Sequence, residues 1–397
     1  MSYPAPAPLV VAGCSSPKEF WHLDAELAYL NHGSFGACPK PVLEAMATLR
    51  IEVERQPMAF FVDQLHQQIA TAMETWASLL GARTADLAPV DNATTGMNAA
   101  INGLIEAGDA VVVPHQLYES VRHALSRRRS EVAFTKTVVP IPIPYPGDDA
   151  FLDRLMDAVT PATRTMIVDQ VCSPTATVQP VARLAKACAE RGINLIVDGA
   201  HAPGAVDVDL GDMSAAVWTG NGHKWAFAPH GCAVLWVCPQ LQERIQSPVT
   251  SLGYELDYPE RFLWTGTRDR TAQCVFPEAV AFARRLGGFG AVRAHNDALA
   301  RFGADQILEK LGFAAVAPVQ NFGPMVAISC AIEAERDQIG QLRAYFRDQH
   351  QVEVFTHIVA GTLLIRLSGQ VYNTASEMVR LADALVQARN KGIGPWA

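Results

Sequence analysis

The sequence predicts an α/β fold, in which a large domain on a mostly parallel central sheet is joined to a small α+β domain. Three observations predict it. Short β-branched runs without polar alternation recur through the middle of the chain, the texture of strands buried on both faces. Amphipathic stretches separate these runs, and alternating strand and helix is the signature of layered α/β folds. Beyond Gly287-Gly288 the pattern changes to longer helices with isolated strands. At 397 residues the chain is also long for one domain.

The expected strands of the sheet are 110–113, 165–168, 195–197, 215–219 and 233–237. The expected helices between them are 96–105, 117–128, 151–159 and 181–191. Gly287-Gly288-Phe289-Gly290 is the expected joint. After it come a helix at 291–311, a strand at 325–330, a helix at 333–349, a strand at 363–367 and a closing helix at 375–389. The large domain is drawn at 35–287, and the small domain combines 1–34 with 288–397.

Hydrophobic residues make up 49% of the chain and charged residues 18%, which suits a large buried core and argues against disorder. The net charge of −8 leaves no electrostatic footprint for nucleic acid. Arg127-Arg128-Arg129 ends an expected helix and reads as a solvated terminus. The eight cysteines show no CxxC spacing, so they read as reduced core residues of a cytosolic protein. The histidines form no HExxH or HxxxH pair, and no metal is expected. Pro4, Pro6 and Pro8 precede a short apolar run without a basic region, unlike a secretory signal. No run approaches the roughly 18 apolar residues of a membrane helix. The expectation is a soluble, cytoplasmic protein with no membrane or nucleic-acid partner.

Two apolar runs end in chemistry. Leu195-Ile196-Val197 leads into Asp198, and Ala215-Ala216-Val217-Trp218 leads into Thr219-Gly220-Asn221-Gly222-His223-Lys224-Trp225. A cofactor that is both a cationic aromatic ring and an aldehyde needs this pair, because the carboxylate keeps the ring nitrogen protonated and the amine forms the Schiff base. That cofactor is pyridoxal 5'-phosphate. Burial would depress the pKa of Lys224 and make it a better imine former and general base. Asp198 closes a strand, where open α/β sheets bind ligands. A snorkelling lysine and a turn aspartate are the plainer readings.

The remaining candidates follow the same logic. His201 is placed to bond a phenolic oxygen, or is a satisfied core histidine. Asn92-Ala93-Thr94-Thr95-Gly96 opens a helix, an anion site suited to the cofactor phosphate, or simply an N-cap. Tyr118 follows the next strand and would cover one ring face, or pack in the core. Thr265, Thr267 and Arg268 form a polar turn suited to a further phosphate contact. Arg366 lies inside the apolar strand at 363–367, where an unpaired charge is costly. Its partner is a substrate carboxylate held bidentately or a structural acid. The order of these features along one chain favours the cofactor reading.

On these residues the chain resembles the class V aminotransferase family of fold type I pyridoxal phosphate enzymes. The resemblance assigns Thr94-Thr95 to the phosphate, Tyr118 to the ring face, Asp198 to the ring nitrogen and His201 to the phenolic oxygen. It makes His223-Lys224 the pair that carries the cofactor, with Asn221 beside it where desulfurases commonly have serine. Gly266-Thr267 matches a turn reaching the neighbouring subunit's phosphate, which implies a homodimer with shared sites. Arg366-Leu367-Ser368, followed by Tyr372-Asn373, matches the carboxylate-binding strand.

Leu30-Asn31-His32-Gly33-Ser34-Phe35-Gly36 looks most like the isopenicillin N epimerase-like branch, which also contains C–S lyases such as hercynylcysteine sulfoxide lyase. Asn31 and His32 are therefore expected at the substrate. A persulfide-forming desulfurase is not expected, because 352–362 holds no cysteine and Cys330 lies in an expected strand.

The resulting expectation is an enzyme acting at the α-carbon of an amino acid, with Lys224 removing the α-proton and Asp198 keeping the ring able to accept electrons. Epimerase ranks first, C–S lyase second and transaminase third, with Tyr118 the candidate acid on the face opposite Lys224. A non-catalytic binder of pyridoxal phosphate or another phosphate ligand would need neither Lys224 nor Arg366. A nucleotide-binding Rossmann enzyme would carry a GxGxxG turn after its first strand, and none is present.

Overall fold

The computed structural model describes residues 3–9 and 17–397. Val10, Val11 and Ala12 of the short apolar run, and Cys14, lie outside the described residues. The first half contributes β1 (Ala28–Tyr29), α1 (Lys40–Arg55), a π-helical turn (Ala59–Gln64), α2 (Leu65–Leu80), β2 (Leu87–Val90), α3 (Ala93–Leu104), β3 (Ala110–Pro114), α4 (Glu119–Glu131), β4 (Thr135–Val139) and α5 (Asp148–Asp157). It continues with β5 (Thr163–Asp169), α6 (Val181–Ala189), β6 (Asn194–Asp198), β7 (Val217–Asn221) and β8 (Ala233–Val237).

These strands form a seven-stranded sheet in the order β2-β8-β7-β6-β5-β3-β4. The five from β3 to β7 are parallel to their neighbours. Only β8 runs antiparallel, to both β7 and β2. The connection at 222–232 explains the reversal: it is too short for the crossover helix that a parallel return requires. Both faces are covered. Met166 and Val168 pack into one hydrophobic cluster while Ile167 packs into another, as alternate residues on a strand must.

The second half contributes α7 (Thr271–Cys274), α8 (Phe276–Arg285), α9 (Gly288–Leu311), β9 (Ala314–Ala315), β10 (Met325–Glu333), α10 (Arg336–His350), β11 (Val352–Glu353), β12 (Phe355–Val359), β13 (Thr362–Ser368) and α11 (Ala375–Asn390). The expected joint falls between α8 and α9, where Gly287 has φ +92°, a conformation open to glycine. A four-stranded antiparallel sheet, β12-β13-β10-β9, carries Arg366. β1 pairs with β11, Ala28 opposite Val352, so the opening segment packs with the C-terminal part.

Among the described residues, seven cysteines are free, no group of side chains could hold a metal, and no helix is long and apolar enough to cross a membrane.

Candidate active site

β5 and β6 end together, Asp169 opposite Asp198, and β7 runs directly into the turn that holds Lys224. These strand ends, the start of α3 and the Ser34-Phe35 turn enclose a cavity of about 170 Å³. Thr94, Tyr118, Asp198, His201, Asn221, His223 and Lys224 all line it. The sheet thus brings together most of the residues that the sequence analysis names.

Lys224 is partly buried on the cavity wall, and its Nζ stands 3.2 Å from His201 Nε2. Burial, then the positive charge of Arg366, lowers its pKa to about 8, against the pull of Asp198 and Asp169. An amine so placed is partly unprotonated near neutral pH, as nucleophile and base chemistry require. His201 is pushed well below its ordinary range by burial, then by Lys224 and Arg366. It is therefore a neutral imidazole, and its buried Nδ1 has no partner. Burial, then Lys224, likewise lowers His223 to about 4.

Asp198 Oδ1 accepts from the Ala200 amide at 2.9 Å. No cation among the described residues lies within ion-pair distance of it. Its neighbour Asp169 is a functional candidate that the sequence analysis does not name. Asp169 lines the cavity, its Oδ1 is buried without a partner, and burial followed by the Asp198 charge raises its pKa well above the ordinary range. A signal for it was present: the apolar run at 165–168 ends in Asp169 just as the run at 195–197 ends in Asp198.

Arg366 sits on β13 between Ala327 of β10 and Phe355 of β12. It is only 1% exposed. Its guanidinium donates to the Ser173 carbonyl at 2.5 Å, to Ser173 Oγ at 3.2 Å and to Ser34 Oγ at 2.9 Å. Its Nε has no partner, and the guanidinium carbon lies 4.3 Å from the centre of the Phe355 ring. No carboxylate of the described residues pairs with it. Of the two partners open at the sequence level, the structural acid is absent. Ser34 and Ser173, which it grips, both line the Lys224 cavity.

Asn31 and His32 do not line that cavity. His32 is completely buried, with Nε2 2.7 Å from the Lys224 carbonyl and Nδ1 2.8 Å from the Tyr372 hydroxyl. Asn31 accepts from Ser34 Oγ at 2.6 Å. A Cβ at Gly36 would fall inside the backbone of His223 and Lys224. The segment therefore forms a floor that fixes the lysine's main chain, and only Ser34 and Phe35 reach the cavity.

The anion-binding expectation divides in the same way. Asn92 caps α3, accepting from the Thr95 amide at 3.0 Å, and Asn221 accepts from the Ala93 amide at 2.8 Å. Thr94 faces the cavity, while Thr95 turns its hydroxyl to Asn92 at 3.3 Å. Thr267 is exposed and lies outside the cavity, beside Arg268, which pairs with Asp91.

The family model for class V aminotransferases matches residues 29–381. A probable chloroplastic L-cysteine desulfhydrase of Arabidopsis thaliana is 28% identical over 410 residues, covering 95% of this chain and 86% of that protein. An isopenicillin N epimerase of Amycolatopsis lactamdurans is 30% identical over 398 residues, covering 95% of this chain and 99% of the epimerase. Among solved structures, the cysteine desulfurase CsdA of Escherichia coli superposes with a TM-score of 0.78 at 19% identity, covering 94% of this chain and 98% of that one. The cystine C–S lyase C-DES, in complex with its product cysteine persulfide, gives 0.77 at 18%, covering 94% and 99%. At such identities the structural likeness is one of fold.

Proposed function

The chain belongs to the class V aminotransferase family, and we propose that it acts at the α-carbon of an amino acid or amino-acid derivative as an isopenicillin N epimerase-like enzyme. Its cofactor is pyridoxal 5'-phosphate. Groups on the cavity wall fit that molecule: a buried carboxylate without a cation at Asp198, a free buried nitrogen at His201 Nδ1, and, at the start of a helix, the Thr94 hydroxyl, which meets only Ser120 Oγ at 3.2 Å. Asp198 would hold the ring nitrogen, Thr94 the phosphate, His201 the phenolic oxygen, Tyr118 one ring face and Lys224 the aldehyde carbon. When bound, the cofactor supplies a protonated ring that takes up electron density from the α-carbon.

The observation that carries the reading is Arg366, a buried guanidinium with no acid partner among the described residues, held against Ser34 and Ser173 of the Lys224 cavity wall. A substrate carboxylate supplies the missing charge. It also fixes the α-carbon near an amine whose pKa suits proton removal. His201, 3.2 Å from the amine, is buried and shields that side of it from water. Epimerisation further requires a proton donor on the other face, and we assign that role to Tyr118, which lines the cavity. Near full-length coverage of the isopenicillin N epimerase supports this ranking.

C–S lyase activity is the second reading, supported by the relatives named as L-cysteine desulfhydrases, and transamination is the third. Persulfide chemistry on a protein thiol finds no support: Cys330 is buried in β10, and its thiol pKa is raised by burial. The deciding experiment incubates amino acids with the holoenzyme in deuterated water and follows three products together. Deuterated D-enantiomer without pyruvate supports epimerisation. Pyruvate with sulfide supports the lyase, and loss of amino groups to the cofactor supports the transaminase.

We further propose a homodimer with shared sites. Thr267 lies outside its own chain's cavity, and Val249, Leu252, Tyr254 and Leu256, in the segment leading towards it, are exposed large hydrophobic residues of the kind that mark an interaction surface. The free cysteines support a cytoplasmic setting.

A further inference from the structure

We infer that His32 is a positioning residue for Lys224: it holds the lysine's main chain by its carbonyl, and so governs how fast Lys224 moves a proton without governing how tightly an amino acid binds. The inference rests on the reading of Lys224 as the base at the α-carbon. His32 is completely buried and lines no part of the Lys224 cavity, so its effect on the reaction passes through another group.

Its contacts leave one arrangement of protons. Burial is the main cause that lowers the ring's pKa to about 4, against the pull of the Lys224 carbonyl. The imidazole is therefore neutral and carries a single N–H. A carbonyl only accepts, so the Nε2 that stands 2.7 Å from the Lys224 oxygen bears that hydrogen. Nδ1 must then accept, and it meets two donors, the Tyr372 hydroxyl at 2.8 Å and the Ala37 amide at 3.4 Å. Among the described residues, no other group donates to the Lys224 carbonyl.

The rest of the turn is held as closely. A Cβ at Gly36 would lie 2.4 Å from the His223 carbonyl oxygen, and one at Gly204 would lie 2.3 Å from that of Trp225. Phe227 has φ +63°, a conformation unfavourable for a residue with a side chain. Its ring packs against Trp21, Phe282 and Phe289, which keep it there. The flexible side chain of Lys224 thus swings from a fixed origin, and His32 is the side chain that grips that origin itself. Misplacing reacting atoms by about 1 Å costs about a hundredfold in rate. The grip of Arg366 on Ser34 and Ser173 involves no atom of His32.

Two substitutions separate this role from packing. Glutamine puts its side-chain amide where histidine has Nε2 and still donates to the carbonyl, whereas asparagine reaches only as far as Nδ1. Each proteinogenic L-amino acid is offered to the parent holoenzyme in deuterated water, and the one whose α-proton exchanges fastest is used throughout. His32→Asn should lower the maximal exchange rate per bound cofactor by about a hundredfold while the half-saturating concentration changes less than about threefold. His32→Gln should recover most of that rate. Equal rate losses in the two variants, or a loss confined to half-saturation, would overturn the inference. If the variants do not fold, nitrogen NMR of parent apoprotein carrying isotope-labelled histidine decides alone. The ring in contact with Tyr372 should be neutral and protonated at Nε2; a charged ring, or a proton on Nδ1, would overturn the inference. If the parent exchanges no amino acid, the α-carbon reading falls. His32 is then judged by its tautomer and by uptake of pyridoxal phosphate into apoprotein, slowed in His32→Asn and restored in His32→Gln; equal uptake in all three proteins would overturn the inference.

Discussion

Asp169 and Asp198 stand opposite each other at the ends of adjacent parallel strands, both buried and both on the wall of the Lys224 cavity. Neighbouring strands lie about 4.8 Å apart and register partners share a face, so the two carboxyls occupy neighbouring positions on one face of the sheet. In so dry a site they cannot both ionise cheaply. Burial raises Asp198 as well, against the Ala200 amide and the Lys224 charge. Asp169 is raised well above its ordinary range, by burial first and then by Asp198. We therefore expect Asp169 to be the carboxyl that keeps its proton.

An amide imitates a protonated carboxyl, so the two positions should respond differently to the same change. Asp169→Asn should keep bound cofactor, its absorbance and α-proton exchange within about threefold of the parent. Asp198→Asn should keep cofactor but lose exchange by about a hundredfold or more, since its charge matters most when carbanion character develops. Equal losses in the two variants, measured by deuterium uptake, would show that Asp169 is ionised and shares the role of Asp198.

The pKa of about 8 at Lys224 sets a pH dependence. Apoprotein should take up pyridoxal phosphate faster as pH rises through about 8, levelling above it, because only the unprotonated amine attacks. Arg366 lowers this pKa, so Arg366→Gln should move the midpoint upward, read by stopped-flow absorbance. The sign for stability follows. Below about 8 both folded and unfolded states hold the proton and the cost of burying it is complete. That cost is relieved as pH rises from about 8 towards the ordinary lysine value of 10.5, so the stability advantage of Lys224→Met apoprotein should shrink over that window.

Arg366→Lys should retain cofactor and folding while weakening amino-acid binding, because a point charge replaces a planar fork. Losing a charge-assisted pair costs about 1.5–3 kcal/mol, or about tenfold to a hundredfold in apparent affinity. Amines lacking a carboxylate should bind parent and variant alike. A lowered melting temperature with amino-acid affinity intact would make Arg366 a purely structural residue.

Shared sites predict complementation. Lys224→Ala and Thr267→Ala chains, each inactive alone, should form hybrids with one complete site and recovered activity. A stable, active monomer in sedimentation would contradict the shared arrangement.

The central sheet was legible because parallel strands buried on both faces carry uninterrupted apolar runs, as at 195–197 before Asp198. β4 was not, because Thr135–Val139 is a largely exposed edge strand of mixed polarity. β2 holds Pro89, which hides a strand from propensity. Asp198, His201 and Lys224 were legible as motif residues, and the fold brings them together on one cavity. The sequence points His32 towards the substrate because it shows a polar residue and not the direction that residue faces. Its position under the Lys224 carbonyl depends on close approaches at Gly33 and Gly36 that only the fold reveals. Asp169 was hidden by the absence of a surrounding motif, although it ends its strand as Asp198 does.

The central claim is that Lys224 carries the cofactor at this site. Borohydride fixes pyridoxal phosphate to the amine that holds it, so peptide mapping of the reduced holoenzyme tests the claim most directly. The account predicts one phosphopyridoxyl group per chain, on Lys224, and none at all on Lys224→Ala. Labelling at another lysine, or undiminished labelling of Lys224→Ala, would contradict it.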